Sequence, residues 1–300
     1  MRAERLWRQA LERSEAARAC GALVPLETSM DPADLAPFVL RHLRSRTPKH
    51  LRAGGPKPNP FLPWEPQLEV CRLGSEHVLL LNKYPVQQGH LLVITASWKP
   101  QSGWLETADW QAVCQVAADT SGLWFFNSSA AAGASQPHRH LQLLPRRQHQ
   151  ASCPLEPLLK GWLSGTADAE TQRPHWSQAL TARQDPADHQ ELERLYHSHC
   201  DLLGLGDPQH DPVPRAPYNL LFSDRWLLTV RRNREHARGF SINALGFAGY
   251  LLATDQSEVS WLQCSGGWEL LNLVAEPAAH RGDQGNDQGT ASSSNPCLSG

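Results

Sequence analysis

The segment Ala131-Ala-Gly-Ala-Ser-Gln-Pro-His-Arg-His-Leu-Gln142 constrains this chain more than any other. Successive side chains of a β-strand point to opposite faces, so His138, His140 and Gln142 share one face. Arg139, Leu141 and Leu143 take the other. A glycine-bearing loop directly before such a strand brings backbone N–H groups close to anionic oxygens, and the strand then aims an imidazole at them. The combination points to phosphoryl or nucleotidyl chemistry at a histidine.

The rest of the composition narrows the partners. The 300 residues allow one large domain or two modest ones, either with a real core. With 28 basic against 30 acidic residues and no polybasic run, neither nucleic acid nor an acidic membrane is indicated as a partner. Phosphate binding must therefore come from local arrangement. The seven cysteines are scattered without a Cys-x-x-Cys, unlike a disulfide framework or a closed zinc site, and no metal-ligand set is read from the sequence. The N-terminus is charged where a signal peptide needs an apolar core, and no apolar run is long enough to span a bilayer. These features lead to the expectation of a cytoplasmic protein; monomer and homodimer are both open.

Hydrophobic periodicity predicts a helix over 3–20, stopped by Gly21, and an extended loop over 45–66, where Pro58 and Pro60 forbid a helix. Strands are predicted at 67–73, 77–82, 89–95 and 123–127, with a helix over 107–120. The histidine strand ends at Pro145. The polar, Gly- and Pro-broken stretch 161–188 reads as a linker or mobile loop. Beyond it are expected a helix over 189–203, a strand-rich stretch over 218–231, a helix over 242–253 and further strand over 261–274. From 277 to 300 the chain lacks apolar periodicity and is expected to be disordered.

Within the first segment, His140 is the candidate nucleophile, because neutral imidazole predominates at pH 7. One ring nitrogen would attack while the other donates to a fixed acceptor, often a backbone carbonyl. His138 would contact the leaving group or orient the site, and Gln142 would offer an amide N–H to a phosphate oxygen. Gly133, Ala134, Ser135 and Gln136 form the candidate phosphate loop. Lys57, Asn82 and Lys83 are candidates for phosphate and ribose contacts. His90 opens an apolar strand and reads as a structural histidine.

Several separated motifs occur in one order: Lys57-Pro-Asn-Pro-Phe61, Asn82-Lys-Tyr-Pro-Val86, Asn127, Gly133 to Gln142, Pro217-Tyr-Asn-Leu-Leu221 and Ile242-Asn-Ala-Leu-Gly-Phe-Ala-Gly249. Together they resemble the ATP adenylyltransferases, or diadenosine tetraphosphate phosphorylases, of the histidine-triad superfamily's transferase branch. The resemblance implies an α+β, histidine-triad-like fold of two triad-like halves with antiparallel sheets and flanking helices: 1–160 carrying the catalytic residues and 189–276 forming the adenylyltransferase half. It implies that diadenosine tetraphosphate (Ap4A) and phosphate give ATP and ADP through an adenylyl-histidine on His140. Lys57, Asn82, Lys83, Asn127, Gly133–Gln136 and Gln142 then fall on nucleotide-binding positions, with Asn219 and Arg231 as contacts from the second half. Mg²⁺ would accompany the polyphosphate, with no organic cofactor. ADP with sulfate is a further candidate substrate pair. The rival readings are a sugar-1-phosphate nucleotidylyltransferase, a dinucleoside polyphosphate hydrolase, and a non-catalytic dinucleotide-binding protein. The run Ser128-Ser-Ala-Ala-Ala132 departs from the pattern, which carries a glycine after the asparagine and a serine before Gly133.

Overall fold

The protein is described by a computed structural model that covers residues 2–45, 59–166, 173–185 and 188–278. It is α+β, with antiparallel sheets flanked by helices. Helix α1 (Arg5–Ala19) leads to two short strands, β1 (Thr28–Met30) and β2 (Val39–Leu43). A hairpin follows, β3 (Glu69–Leu73) and β4 (His77–Leu81), then β5 (Leu91–Thr95), helix α2 (Thr107–Ala117), β6 (Gly122–Asn127) and β7 (His140–Pro145). Helix α3 (Glu156–Ser164), β8 (Gln178–Ala182), helix α4 (His189–Leu202) and the hairpin β9 (Tyr218–Phe222) and β10 (Trp226–Arg231) continue the chain. A two-residue ribbon, β11 (His236–Ala237) with β12 (Phe240–Ser241), precedes β13 (Tyr250–Ala253) and helices α5 (Val259–Ser265) and α6 (Gly267–Asn272).

One eight-stranded sheet in the order β3-β4-β5-β7-β6-β9-β10-β8 joins both parts of the chain, and each neighbouring pair is antiparallel. The strands β4, β5, β6 and β9 are buried on both faces, which is why they read as near-continuous apolar runs. One face packs on α1, α2 and α4 through Leu79, Val93, Leu141, Leu143, Phe126 and Leu220. The other face has two separate covers. Phe61 and Trp64 lie over Val78, Leu80, Leu92 and Ile94 of β4 and β5. The segment from Phe240 to Ala275 covers Leu123, Phe125, Leu221, Leu228 and Val230 of β6, β9 and β10. His140 and Gln142, on β7 between these strands, lie at the seam of the two covers.

Three expectations are corrected. The stretch 161–188 is not simply a linker: α3 extends to Ser164, and β8 is an edge strand paired with β10 from Ala182 opposite Trp226 to Gln178 opposite Val230. Its edge position leaves most of its side chains partly exposed, hence its polar composition. Residues 242–253 do not form a helix. A short 3₁₀ turn over Ala244–Ala248 ends at Gly249, whose φ of 97° reverses the chain into β13, parallel to β2. Residues 261–274 are helical, with Leu262, Leu270, Leu271 and Val274 recurring at helical spacing across a break at Gly266. The expected tail lies outside the described residues beyond Ala278. Among the described residues no helix is long and apolar enough to cross a membrane.

Candidate active site

Register places the candidate side chains together. Ile94 opposes His140, Leu92 opposes Gln142, Phe125 also opposes Gln142, and Asn127 opposes Asn219. Directly opposed residues share a face. His140, Gln142, Asn127 and Asn219 therefore line one side of the sheet, as the two-residue alternation predicts.

His140 is buried, and its Nδ1 donates to the main-chain carbonyl of His138 at 2.8 Å. That bond fixes the tautomer and leaves Nε2 without a hydrogen-bond partner among the described residues. Burial pushes the His140 pKa down to about 4, against the opposing effect of the His138 carbonyl. The ring is neutral at pH 7, with its basic nitrogen directed into the seam. Phe61 packs against it with ring centroids 5.4 Å apart.

Of the two roles expected of His138, the geometry fits orientation of the site and not contact with the leaving group. Its Nε2 lies 2.9 Å from the Thr95 carbonyl and 2.9 Å from the Thr95 hydroxyl, and its Nδ1 lies 2.9 Å from the Asn59 amide. Both ring nitrogens are occupied, so its ring has no nitrogen left for a leaving group. It orients His140 through its carbonyl instead. Burial lowers its pKa as well, keeping it neutral. Arg139, between the two, points to the helical face, where it bonds Asp109 at 3.0 Å and Glu106 at 2.8 Å at the start of α2. This anchors the histidine strand from behind.

Gln142 is the end of a polar chain. Its Oε1 accepts from His90 Nε2 at 3.0 Å, and the His90 Nδ1 accepts from the Asn82 amide at 3.0 Å. Burial drives the His90 pKa to about 4, so this histidine is neutral and its single N–H is committed to Gln142. The carboxamide is thereby oriented with its N–H₂ directed away from His90. Asn82 acts through His90, its Oδ1 being occupied by the Tyr84 N–H at 3.0 Å. Lys83 forms an ion pair with Glu65. Lys57 lies outside the described residues.

The loop before the strand is clamped by the second half of the chain. Asn219 donates to Asn127 Oδ1 and to the Ala132 carbonyl, both at 2.8 Å, and its own Oδ1 accepts from Arg232. Asn127 Oδ1 also accepts the Ala244 N–H at 2.9 Å. Ser128 pairs with Tyr218 through main chain and side chain, and Ala132 is fully buried. The atypical run Ser128–Ala132 thus docks the loop onto β9. Gly133 has φ 85°, and a Cβ there would stand 2.6 Å from Asn243 Cβ, so only glycine fits. The Gly133 and Ala134 N–H groups turn inward, to the Ala130 and Ser129 carbonyls at 2.9 Å each, and are not available to a ligand. Those of Ser135 and Gln136 have no partner among the described residues, so of the expected phosphate loop only these two N–H groups are free of a protein acceptor.

Arg231 is on the wrong face. It opposes Tyr218 on the helical side and donates to the Leu203 carbonyl at 3.1 Å, so it leaves the site. One residue further, Arg232 is 1% exposed and reaches the loop. It bonds the carbonyls of Val274 (3.0 Å), Arg234 (2.7 Å) and Ile242 (2.9 Å) besides Asn219, over the ring of Phe247. The sequence reading missed Arg232, Asn59, Thr95 and Gln101. Strand parity signals Arg232 once the end of β10 is known, and Asn59 sits inside the quoted Lys57–Phe61 motif.

A neutral, buried imidazole behind a glycine-bearing loop, with a carboxamide two residues further along the same strand face, is the arrangement expected of a histidine-dependent nucleotidyltransferase. The Ap4A phosphorylase N-terminal domain model matches residues 1–161, and the ATP adenylyltransferase C-terminal domain model matches 170–277. The chain belongs to the Ap4A phosphorylase family. Among curated relatives, it is 27% identical over 213 residues to diadenosine 5',5'''-P1,P4-tetraphosphate phosphorylase 2 of Saccharomyces cerevisiae, covering 62% of this chain and 64% of that one. It is 26% identical to Protein APA1 of the same yeast, over 76% of this chain and 79% of that one. Its fold matches the crystal structure of yeast Ap4A phosphorylase Apa2 in complex with Ap4A, with a TM-score of 0.72, 20% identity, and coverage of 93% and 100%.

Proposed function

We propose that this chain is an Ap4A phosphorylase acting in the cytoplasm by double displacement. The observation that carries this reading is the bond from His140 Nδ1 to the His138 carbonyl, which leaves a neutral Nε2 facing the seam. Nε2 attacks the α-phosphorus of the dinucleotide; the N–P bond forms as the bond to the departing ATP oxygen breaks. Phosphate then attacks the same phosphorus, the N–P bond breaks, and ADP leaves. During the adenylylated stage the ring carries a positive charge, and the carbonyl of His138 accepts from its Nδ1–H throughout. The Ser135 and Gln136 amides and the Gln142 carboxamide take the non-bridging oxygens in this scheme.

Gln142 favours transfer over hydrolysis, because a carboxamide does not titrate and cannot serve as a general base toward water. The name of one curated relative, diadenosine 5',5'''-P1,P4-tetraphosphate phosphorylase 2, and the Ap4A in the Apa2 complex support the same substrate class. Mg²⁺ enters as part of the polyphosphate substrate. Among the described residues no cluster of three or more His, Cys, Asp or Glu side chains is placed to hold a metal. Chromatography of Ap4A reactions with and without phosphate tests the proposal. ATP and ADP formed only with phosphate is the expected result; ATP and AMP formed without it would mean hydrolysis.

A further inference from the structure

The ladder between β6 and β7 stops short. It runs from Gly122 opposite Pro145 to Phe125 opposite Gln142, and the same register would bring Asn127 opposite His140. The side chain of Gln101 stands there instead. Its Oε1 accepts the His140 N–H at 2.8 Å, and its Nε2 donates to the Asn127 carbonyl at 2.7 Å and, more weakly, to the His140 carbonyl at 3.3 Å. Gln101 is buried, and its own N–H donates to the Pro137 carbonyl at 2.8 Å, while the Arg139 N–H donates to Lys99 at 2.9 Å. The carboxamide is therefore held at its root by the same strand whose end it clamps.

We propose that Gln101 is a positioning residue for His140. Its planar amide replaces the main-chain bonds missing between Asn127 and His140, spacing the two strands so that residues 128–136 leave between them as a loop. It also fixes the backbone from which the imidazole projects. A glutamine suits this place because it carries a donor and an acceptor on one plane, like a peptide unit. Asparagine is shorter by about 1.5 Å and cannot span both strands. This inference rests on His140 being the nucleophile. A displacement of roughly 1 Å in a reacting group costs on the order of 100-fold in rate.

The test uses the full chain with Gln101→Met and the milder Gln101→Asn. Two readouts are followed: kcat and KM for Ap4A phosphorolysis, and hydrogen exchange of the His140 amide. The expected result is a kcat lower by roughly 30- to 100-fold with KM within about threefold. The His140 amide should exchange faster while Leu141 and Leu143 keep their protection. Unchanged kcat, or a loss confined to KM, overturns the proposal. If the wild-type chain shows no phosphorolysis, it is the functional reading that fails. The exchange measurement still decides the clamp, because an unprotected His140 amide in the wild type, or one unaffected in both variants, refutes it.

Discussion

Arg232→Met is the most informative single substitution for the contribution of the second half of the chain. The guanidinium is buried and bonded to four main-chain carbonyls, the weakest that of Ala132 at 3.5 Å, and to Asn219, with no carboxylate at ion-pair distance among the described residues. Burial pushes its pKa down to about 9, so it remains charged at neutral pH. Because no opposite charge is left behind, the cost of removing it reduces to acceptors stripped of their donors. Asn219 Oδ1, Ile242 O and Arg234 O each lose a bond worth roughly 1–2 kcal/mol. Part of that loss is offset because a cation no longer has to be buried, leaving a net destabilisation of about 2–3 kcal/mol. Freed Asn219 also holds the Ala132 carbonyl less firmly, so the phosphate loop must be ordered by the ligand. That should raise KM for Ap4A by roughly tenfold with a smaller change in kcat. Urea unfolding at pH 7.5 and steady-state kinetics measure both quantities. A variant within 0.5 kcal/mol of wild type (about the ordinary scatter of neutral surface changes), with unchanged KM, would refute the argument that Arg232 ties the two halves at the loop.

Other consequences follow from the same geometry. His90, His140 and His199 each titrate near pH 4 when folded, against about 6.5 when unfolded, so the unfolded chain binds more protons as pH falls. Stability should be flat above about pH 7 and fall between 6.5 and 4, with up to about 3 kcal/mol at stake per histidine; a urea midpoint unchanged from pH 7 to pH 5 would contradict this. His90→Phe should lower kcat by roughly tenfold by releasing Gln142, and equal kcat in wild type and variant would show that the Asn82–His90–Gln142 chain does not orient the carboxamide. His138→Asn should retain far more activity than His140→Ala, with the latter losing at least about 1000-fold. Comparable losses in the two would restore a direct catalytic role to the His138 ring.

The sequence made the histidine strand legible because its signal is local. Two-residue alternation places His140 and Gln142 on one face whatever the sheet does around them. It also identified most of the strands of the large sheet, whose runs are apolar on both faces. Three kinds of information were not local. The edge strand Gln178–Ala182 looks like a loop because its exposed half dilutes the apolar pattern. The stretch from Ile242 to Val274 is apolar enough for helix or strand, and glycines at positive φ, Gly249 and Gly266, decide where each element stops. The choice between Arg231 and Arg232 turns on strand parity, which one residue of register reverses. Asn127 and Asn219 lie on the His140 face, yet they bond each other and the loop. A polar residue in a nucleotide-binding motif looks the same in sequence whether it faces the ligand or supports what does.

Double displacement requires that His140 Nε2 become covalently adenylylated. Incubating the full chain with Ap4A in phosphate-free buffer, followed by proteolysis at neutral pH and mass spectrometry, tests it directly. One AMP is expected on the peptide containing His140, discharged as ADP when phosphate is supplied and missing in His140→Ala. An adduct on any other residue, or turnover by His140→Ala at the wild-type rate, would contradict it.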